Sequence, residues 1–155
     1  MSSRLFLAVR ERQGLAYRVR SYSVESTDAG YVFTYAGTDP TRVERTIETI
    51  IREYRRIRDE AVPAAELQKV KDFARGHFLM DLESSDEMAS FVATQEALLG
   101  KVESPDEVLA KLEAVTADDI RRVAADIFRP QHLNLALVGP YADLDVDRFR
   151  ALLAL

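Results

Sequence analysis

Cysteine is absent from the sequence. That absence excludes disulfides, thiolate metal sites and cysteine nucleophiles together. Long apolar runs are missing as well: no stretch approaches the roughly 18 residues that a membrane-spanning helix needs. Nor do the first ten residues carry a signal peptide, since Arg4 and Arg10 are mixed with Leu5 and Phe6 and no cleavage site follows. Histidine is scarce. His77 and His132 stand far apart and fit none of the spacings H-x-x-H, H-x-x-E-H or H-E-x-x-H. The glycines do not gather into a phosphate-cradling loop, and Asp81 and Glu83, two apart on a helix, do not share a face. A net charge of −5 argues against a nucleic-acid partner, which requires a basic face. A soluble, cytoplasmic protein is the expectation.

What remains is an ordinary globular composition, 47% apolar and 30% charged over 155 residues. A chain of that length can bury about 70% of the surface its unfolded form exposes, enough for one core. Ser2 or Ser3 can cap a first helix with Leu5, Phe6, Ala8 and Val9 as its apolar stripe, and Gly14 supplies the positive φ that ends it. Residues 15–25 and 31–38, rich in tyrosine and valine, flank the turn composition Thr27-Asp28-Ala29-Gly30, which predicts a β-hairpin. Strict alternation in the first strand puts Tyr17, Val19, Ser21 and Ser23 on one face and Arg18, Arg20, Tyr22 and Val24 on the other. Neither face is cleanly apolar, so the strand reads as half wetted.

Helical signals dominate from residue 39. Asp39-Pro40 is a cap followed by proline at the first helical position, and Val43, Ile47, Ile50, Ile51, Tyr54 and Ile57 mark one face of a long helix. Its charge run, Arg52 to Glu60, reads as a solvated face. Pro63 starts a second helix carrying Leu67, Val70, Ala74, Phe78 and Leu82; His77, beside Ala74 and Phe78, is read as structural. Ser84–Glu87, Ser104–Glu107 and Thr116–Asp119 are three further start signals, and Gly100 and Pro130 are stops. His132–Gly139 alternates as a third strand would, and Asp143–Leu155 predicts a last helix with Phe149, Leu152 and Leu153 inward. The fold class is therefore α+β, an antiparallel sheet covered on one face by helices. Three strands are few against a usual sheet of about five or six, so the sheet looks incomplete.

The opening, Met1-Ser2-Ser3-Arg4-Leu5-Phe6, then Val9-Arg10-Glu11 and Arg12-Gln13-Gly14-Leu15-Ala16-Tyr17, resembles the pitrilysin/insulinase family of zinc metallopeptidases. More specifically it is similar to the second, non-zinc domain of bacterial processing-protease-like members. Tyr35–Thr38, Leu82–Ser84, Glu96–Gly100, Ala114–Asp119 and Leu135–Pro140 extend the resemblance over essentially the whole chain. It implies a pitrilysin-like half-domain with missing N-terminal strands, and a single partial domain over residues 1–155. It also implies roles for Arg10 and Tyr17, which are separated by six residues. In the family such a pair reaches across a cavity and binds the substrate backbone near the scissile carbonyl. On composition alone, Tyr17 reads as a sheet residue and Arg10 as a surface cation.

The family's H-x-x-E-H motif and distal glutamate are not in this sequence. The resemblance therefore implies that zinc and the general base come from a zinc-bearing N-terminal domain or subunit, that this chain binds peptide substrate, and that it is inactive alone. A second expectation comes from the respiratory-complex core proteins that share the fold: a non-catalytic scaffold or assembly module. An incomplete sheet also exposes an edge, which favours self-association.

Overall fold

The computed structural model describes residues 3–141 and 145–154. In chain order these form a short π-helix Phe6–Glu11, strands β1 Ala16–Glu25 and β2 Gly30–Thr38, a 3-10 turn Pro40–Arg42, helices α1 Val43–Asp59, α2 Ala64–Asp81, α3 Ser85–Leu99, α4 Pro105–Ala114 and α5 Ala117–Ile127, a 3-10 turn Pro130–His132, and α6 Val146–Leu152. Two compact units result, one made of Met1–Glu60 with Arg121–Leu155, the other of Ala61–Ile120.

The first unit is organised by α1. Val43, Ile47, Ile51 and Tyr54 recur at helical spacing and are buried, forming a cluster with Phe149 of α6 against which Leu5, Phe128, Leu133 and Leu137 pack. Each such side chain contributes about 1.5–3 kcal/mol relative to exposure. A second cluster, Val9, Leu15, Ala16 and Val19, ties the π-helix and β1 to Ile50 of α1 and Ala36 of β2. The hairpin's inner face is thus the one covered by a helix. The Tyr54 hydroxyl donates to Thr34 Oγ1 at 2.5 Å, and the Tyr54 ring stacks on Phe128 at 4.3 Å. Burial holds this phenol's pKa above its ordinary value, against the smaller downward pull of the Thr34 hydrogen bond.

β1 and β2 pair antiparallel, with Arg20 opposite Tyr35, Tyr22 opposite Phe33 and Val24 opposite Tyr31. Ser26 N–H donates to the Ala29 carbonyl at 2.8 Å to close the turn. A Cβ at Gly30 would stand 3.0 Å from the Val24 carbonyl, which is why glycine suits that corner. Asp39 Oδ1 accepts from Thr41 N–H at 2.8 Å and from Thr41 Oγ1 at 2.5 Å, so the expected cap is present, but it opens the 3-10 turn that precedes α1.

The second unit is helical and loosely buried. Ser104 and Glu107 form the full reciprocal capping box of α4, Ser84 Oγ accepts from Glu87 N–H at the head of α3, and Thr116 and Asp119 pair in both directions at the head of α5. Gly100, at φ +62°, ends α3. No residue of α2, α3 or α4 is buried, so the stripe expected along α2 leaves Val70 exposed, and Leu98 and Leu99 of α3 are exposed as well. His77 meets Phe73 at a ring distance of 4.2 Å.

Two expectations are corrected. His132–Gly139 is not a strand: the only ladder among the described residues is β1 with β2. Two of its apolar residues serve the core directly instead. Leu133 and Leu137 pack on the α1 cluster, while Leu135, which alternation places on the same face, is exposed. In β1, alternation fails at Tyr17 for the reason given below. The last helix begins at Val146 with Asp145 as its cap; residues 142–144, where its start was expected, lie outside the described residues. Among the described residues no helix is long and apolar enough to cross a membrane.

Candidate functional site

Arg10 lies in the last turn of the π-helix, whose widened winding is seen in the bond from Arg12 N–H to the Leu7 carbonyl at 2.9 Å. The chain then reverses. Gly14 takes φ +58°, its N–H donates to the Arg10 carbonyl at 3.0 Å, and Leu15 N–H donates to the Val9 carbonyl at 2.8 Å. A side chain would disfavour that left-handed backbone, and glycine does not. Buried Leu15 and Ala16 then anchor the start of β1.

At this point the ladder slips. Ala16 stands opposite Thr38 but Arg18 stands opposite Gly37, so Tyr17 is an extra residue, a β-bulge. The result is decisive for exposure. Val19 is 6% exposed and Tyr17 is 85% exposed, although strict alternation assigns them one face. The bulge turns the tyrosine out while Ala16 and Val19 stay in the core.

Arg10 and Tyr17 are brought together. The Arg10 guanidinium carbon lies 5.4 Å from the Tyr17 ring centroid and 5.0 Å from that of Phe6. Each contact is worth about 0.5–1 kcal/mol at an exposed site. Glu11 is the nearest counter-charge, at 3.9 Å from Arg10 Nε. The Tyr17 hydroxyl has no hydrogen-bond partner among the described residues, so a guanidinium and a free phenol stand side by side as donors.

They border an open recess of about 710 Å³ lined also by Gly14, Leu15, Ala16, Gly37, Thr38, Asp39 and Arg42. The backbone around it is held by hydrogen bonds that the sequence did not reveal. Arg42 Nη1 donates to the Gly14 carbonyl at 2.8 Å, pinning the bend to the start of α1. Gln13 Nε2 donates to the Ala8 carbonyl at 3.0 Å and to Thr49 Oγ1 at 3.2 Å, while Arg45 Nε donates to Gln13 Oε1 at 3.1 Å. The Thr38 hydroxyl donates to the Leu15 carbonyl at 2.6 Å and lies 3.0 Å from the Thr46 hydroxyl, which reaches the Arg42 carbonyl at 2.9 Å. The hydrogen bonds from Thr41 hold the Asp39 carboxyl below its ordinary pKa, keeping one anion at the recess. The only forward signal among these was Asp39-Pro40, read as a cap.

The described residues offer no group of three or more histidine, cysteine, aspartate or glutamate side chains that could hold a metal ion.

Residues 1–73 match the family model described as the peptidase M16 inactive domain. The chain is 33% identical over 144 residues to a protein named an uncharacterized zinc protease of Bacillus subtilis, covering 93% of this chain and 35% of that one. It is likewise 33% identical over 150 residues to a similarly named protein of Streptomyces coelicolor, covering 96% and 32%. The chain thus spans about a third of the length of the curated relatives it matches. Among solved structures, a chain of complex III2 from Candida albicans, with Inz-5 bound, superposes with a TM-score of 0.82 at 22% identity, covering 100% of this chain and 37% of that one. A protease from Helicobacter pylori superposes with 0.72 at 21% identity, covering 83% and 31%. At those identities the two structures speak for the fold alone. The family model and the curated relatives make this chain a member of the peptidase M16, or pitrilysin/insulinase, family.

Proposed function

We propose that residues 1–155 act as one partial domain, the substrate-binding, catalysis-assisting part of a zinc endopeptidase, and that Arg10 and Tyr17 bind the substrate's backbone carbonyl near the bond to be cut. The observation that carries this reading is the exposed Tyr17 phenol beside the Arg10 guanidinium at the border of the recess. Donors held before the reaction stabilise the negative charge that develops on a carbonyl oxygen. The Gly14 bend and the Tyr17 bulge give both side chains a fixed base.

Zinc and the general base belong, in this reading, to a zinc-bearing N-terminal domain or subunit, and the chain alone cleaves nothing. Mixing it with that half restores cleavage of a fluorogenic peptide. Arg10→Ala and Tyr17→Phe then each lower turnover by about tenfold or more, with an unchanged urea midpoint. Unaltered turnover in both variants refutes the assignment. The scaffold reading is supported by the fold it shares with the complex III2 chain. It is separated by the same mixing experiment, since a scaffold gives assembly without cleavage. Both strands of the hairpin are edge strands among the described residues, which supports self-association through the sheet edge. A sedimenting mass that stays monomeric at high concentration counts against that part.

A further inference from the structure

The outer face of the hairpin is used neither by the core nor by the Arg10–Tyr17 pair. The register sets Arg20 opposite Tyr35 and Tyr22 opposite Phe33, so Arg18, Arg20, Tyr22, Tyr31, Phe33 and Tyr35 project from one side. The rings associate with one another rather than with the core. Tyr22 stacks on Phe33 at 5.0 Å, Tyr31 meets Phe33 at 5.9 Å, and the Arg18 guanidinium lies 5.8 Å from the Tyr35 ring. Yet Tyr31 is 62% exposed and Tyr35 52%, a large apolar area for a surface to leave bare.

Charge narrows what this face fits. Neither Arg18 nor Arg20 forms an ion pair among the described residues. The one carboxylate in the two strands, Glu25, belongs by alternation to the opposite face, where Ser23 Oγ donates to it. Two uncompensated guanidinium groups in a bed of rings complement a carboxylate flanked by apolar side chains. The chain as a whole carries −5, so attraction for an acidic ligand must be local to such a face.

We infer that this arginine–aromatic face is a subsite for extended acidic peptides, selecting substrates with an aspartate or glutamate about three residues from the scissile bond. The inference rests on the function proposed above. Its spacing follows from strand geometry: Tyr17 and Arg20 are three residues apart, about 10 Å at roughly 3.3 Å per residue, and an extended peptide has the same repeat. A peptide whose carbonyl meets Arg10 and Tyr17 therefore sets a side chain about three positions away over Arg18 and Arg20. Its next same-side residue reaches the Tyr22–Phe33 stack.

Fluorescein-labelled 12-residue peptides, identical except for a single Glu, Gln or Lys moved along the sequence, test this by anisotropy on the full chain. The Glu peptide with the favoured position binds about tenfold tighter than its Gln counterpart. The paired substitution Arg18→Glu with Arg20→Glu abolishes or inverts that difference, as does the milder Arg18→Gln with Arg20→Gln; both sites are exposed, so folding is retained. Equal binding of the Glu, Gln and Lys peptides overturns the inference. So does a 12-nucleotide oligothymidylate that binds as tightly and depends on the same arginines, which marks the face as a nucleic-acid surface. In the reconstituted peptidase, the Arg18/Arg20 variants raise KM for the acidic peptide alone, whereas Arg10→Ala and Tyr17→Phe lower kcat for every peptide. Loss of the first pattern with the second intact removes only the subsite. Loss of the second removes the proposed function, while anisotropy still judges the face.

Discussion

Gly14→Ala separates the cost of the bend from its use. At φ +58° an alanine suffers the left-handed penalty of about 1–2 kcal/mol, partly offset by about 0.4–1 kcal/mol from a stiffer unfolded chain. Nothing lies within 4 Å of the added Cβ, so no clash is superimposed, and the net loss is about 1 kcal/mol. Gly100 is a matched control, with φ +62° and equally open space, but it ends α3 in the other unit. Native-state hydrogen exchange read peptide by peptide suits a chain of two units. Gly14→Ala speeds exchange in β1 about fivefold, and Gly100→Ala does the same in α3. Only the first also lowers cleavage in the reconstituted peptidase, because only it shifts Arg10 relative to Tyr17. Gly14→Asn, which tolerates the left-handed region, recovers much of both losses. Unchanged exchange in Gly14→Ala refutes the conformational argument. An equal loss of cleavage in both alanine variants refutes the link between bend and site.

Thr38→Val takes the donor from the Leu15 carbonyl at 2.6 Å and lowers stability by about 1–2 kcal/mol in urea titration, whereas Thr38→Ser keeps most of it. A Thr38→Val chain as stable as the native one would show the hydroxyl contacts to be incidental. Tyr54→Phe loses the bond to Thr34, about 1 kcal/mol near neutral pH. Because burial raises the folded pKa of Tyr54, the native chain holds its proton after the unfolded chain begins to lose it. The associated stability is therefore fully present below about pH 10 and falls as pH rises through the folded pKa. The urea midpoint of the native chain should drop more steeply as pH rises above about 10 than that of Tyr54→Phe. Parallel slopes would refute the assignment.

The sequence made much of this architecture legible wherever the signal is local. Caps at Ser84, Ser104 and Thr116, the bend at Gly14 and the stop at Gly100 each depend on a few neighbouring residues, and each is found where expected. So is the buried stripe of α1. What stayed hidden is non-local. The slip at Tyr17 is a property of the register with β2, and no pattern within β1 encodes it. Gln13 and Arg42 act through partners dozens of residues away, on Thr49 and Gly14. Residues 132–139 misled because alternation describes which side chains face a core, and an extended segment can face a core without pairing.

The local rules are violated just where Arg10 and Tyr17 meet. An unbroken ladder would carry Tyr17 inward with Val19, a large amphipathic ring added to the cluster of Val9, Leu15 and Ala16. Instead β1 gives up a regular rung, turns the ring out and leaves it only the Arg10 guanidinium for company. Burying a tyrosine is worth more than one exposed cation–π contact, so core stability alone does not account for the choice. The reversal at Gly14 repeats the pattern, since it requires glycine, the residue that loses most conformational freedom on folding. Two such departures within four residues both serve to set one guanidinium beside one phenol, and that convergence is the physical ground for treating them as a pair.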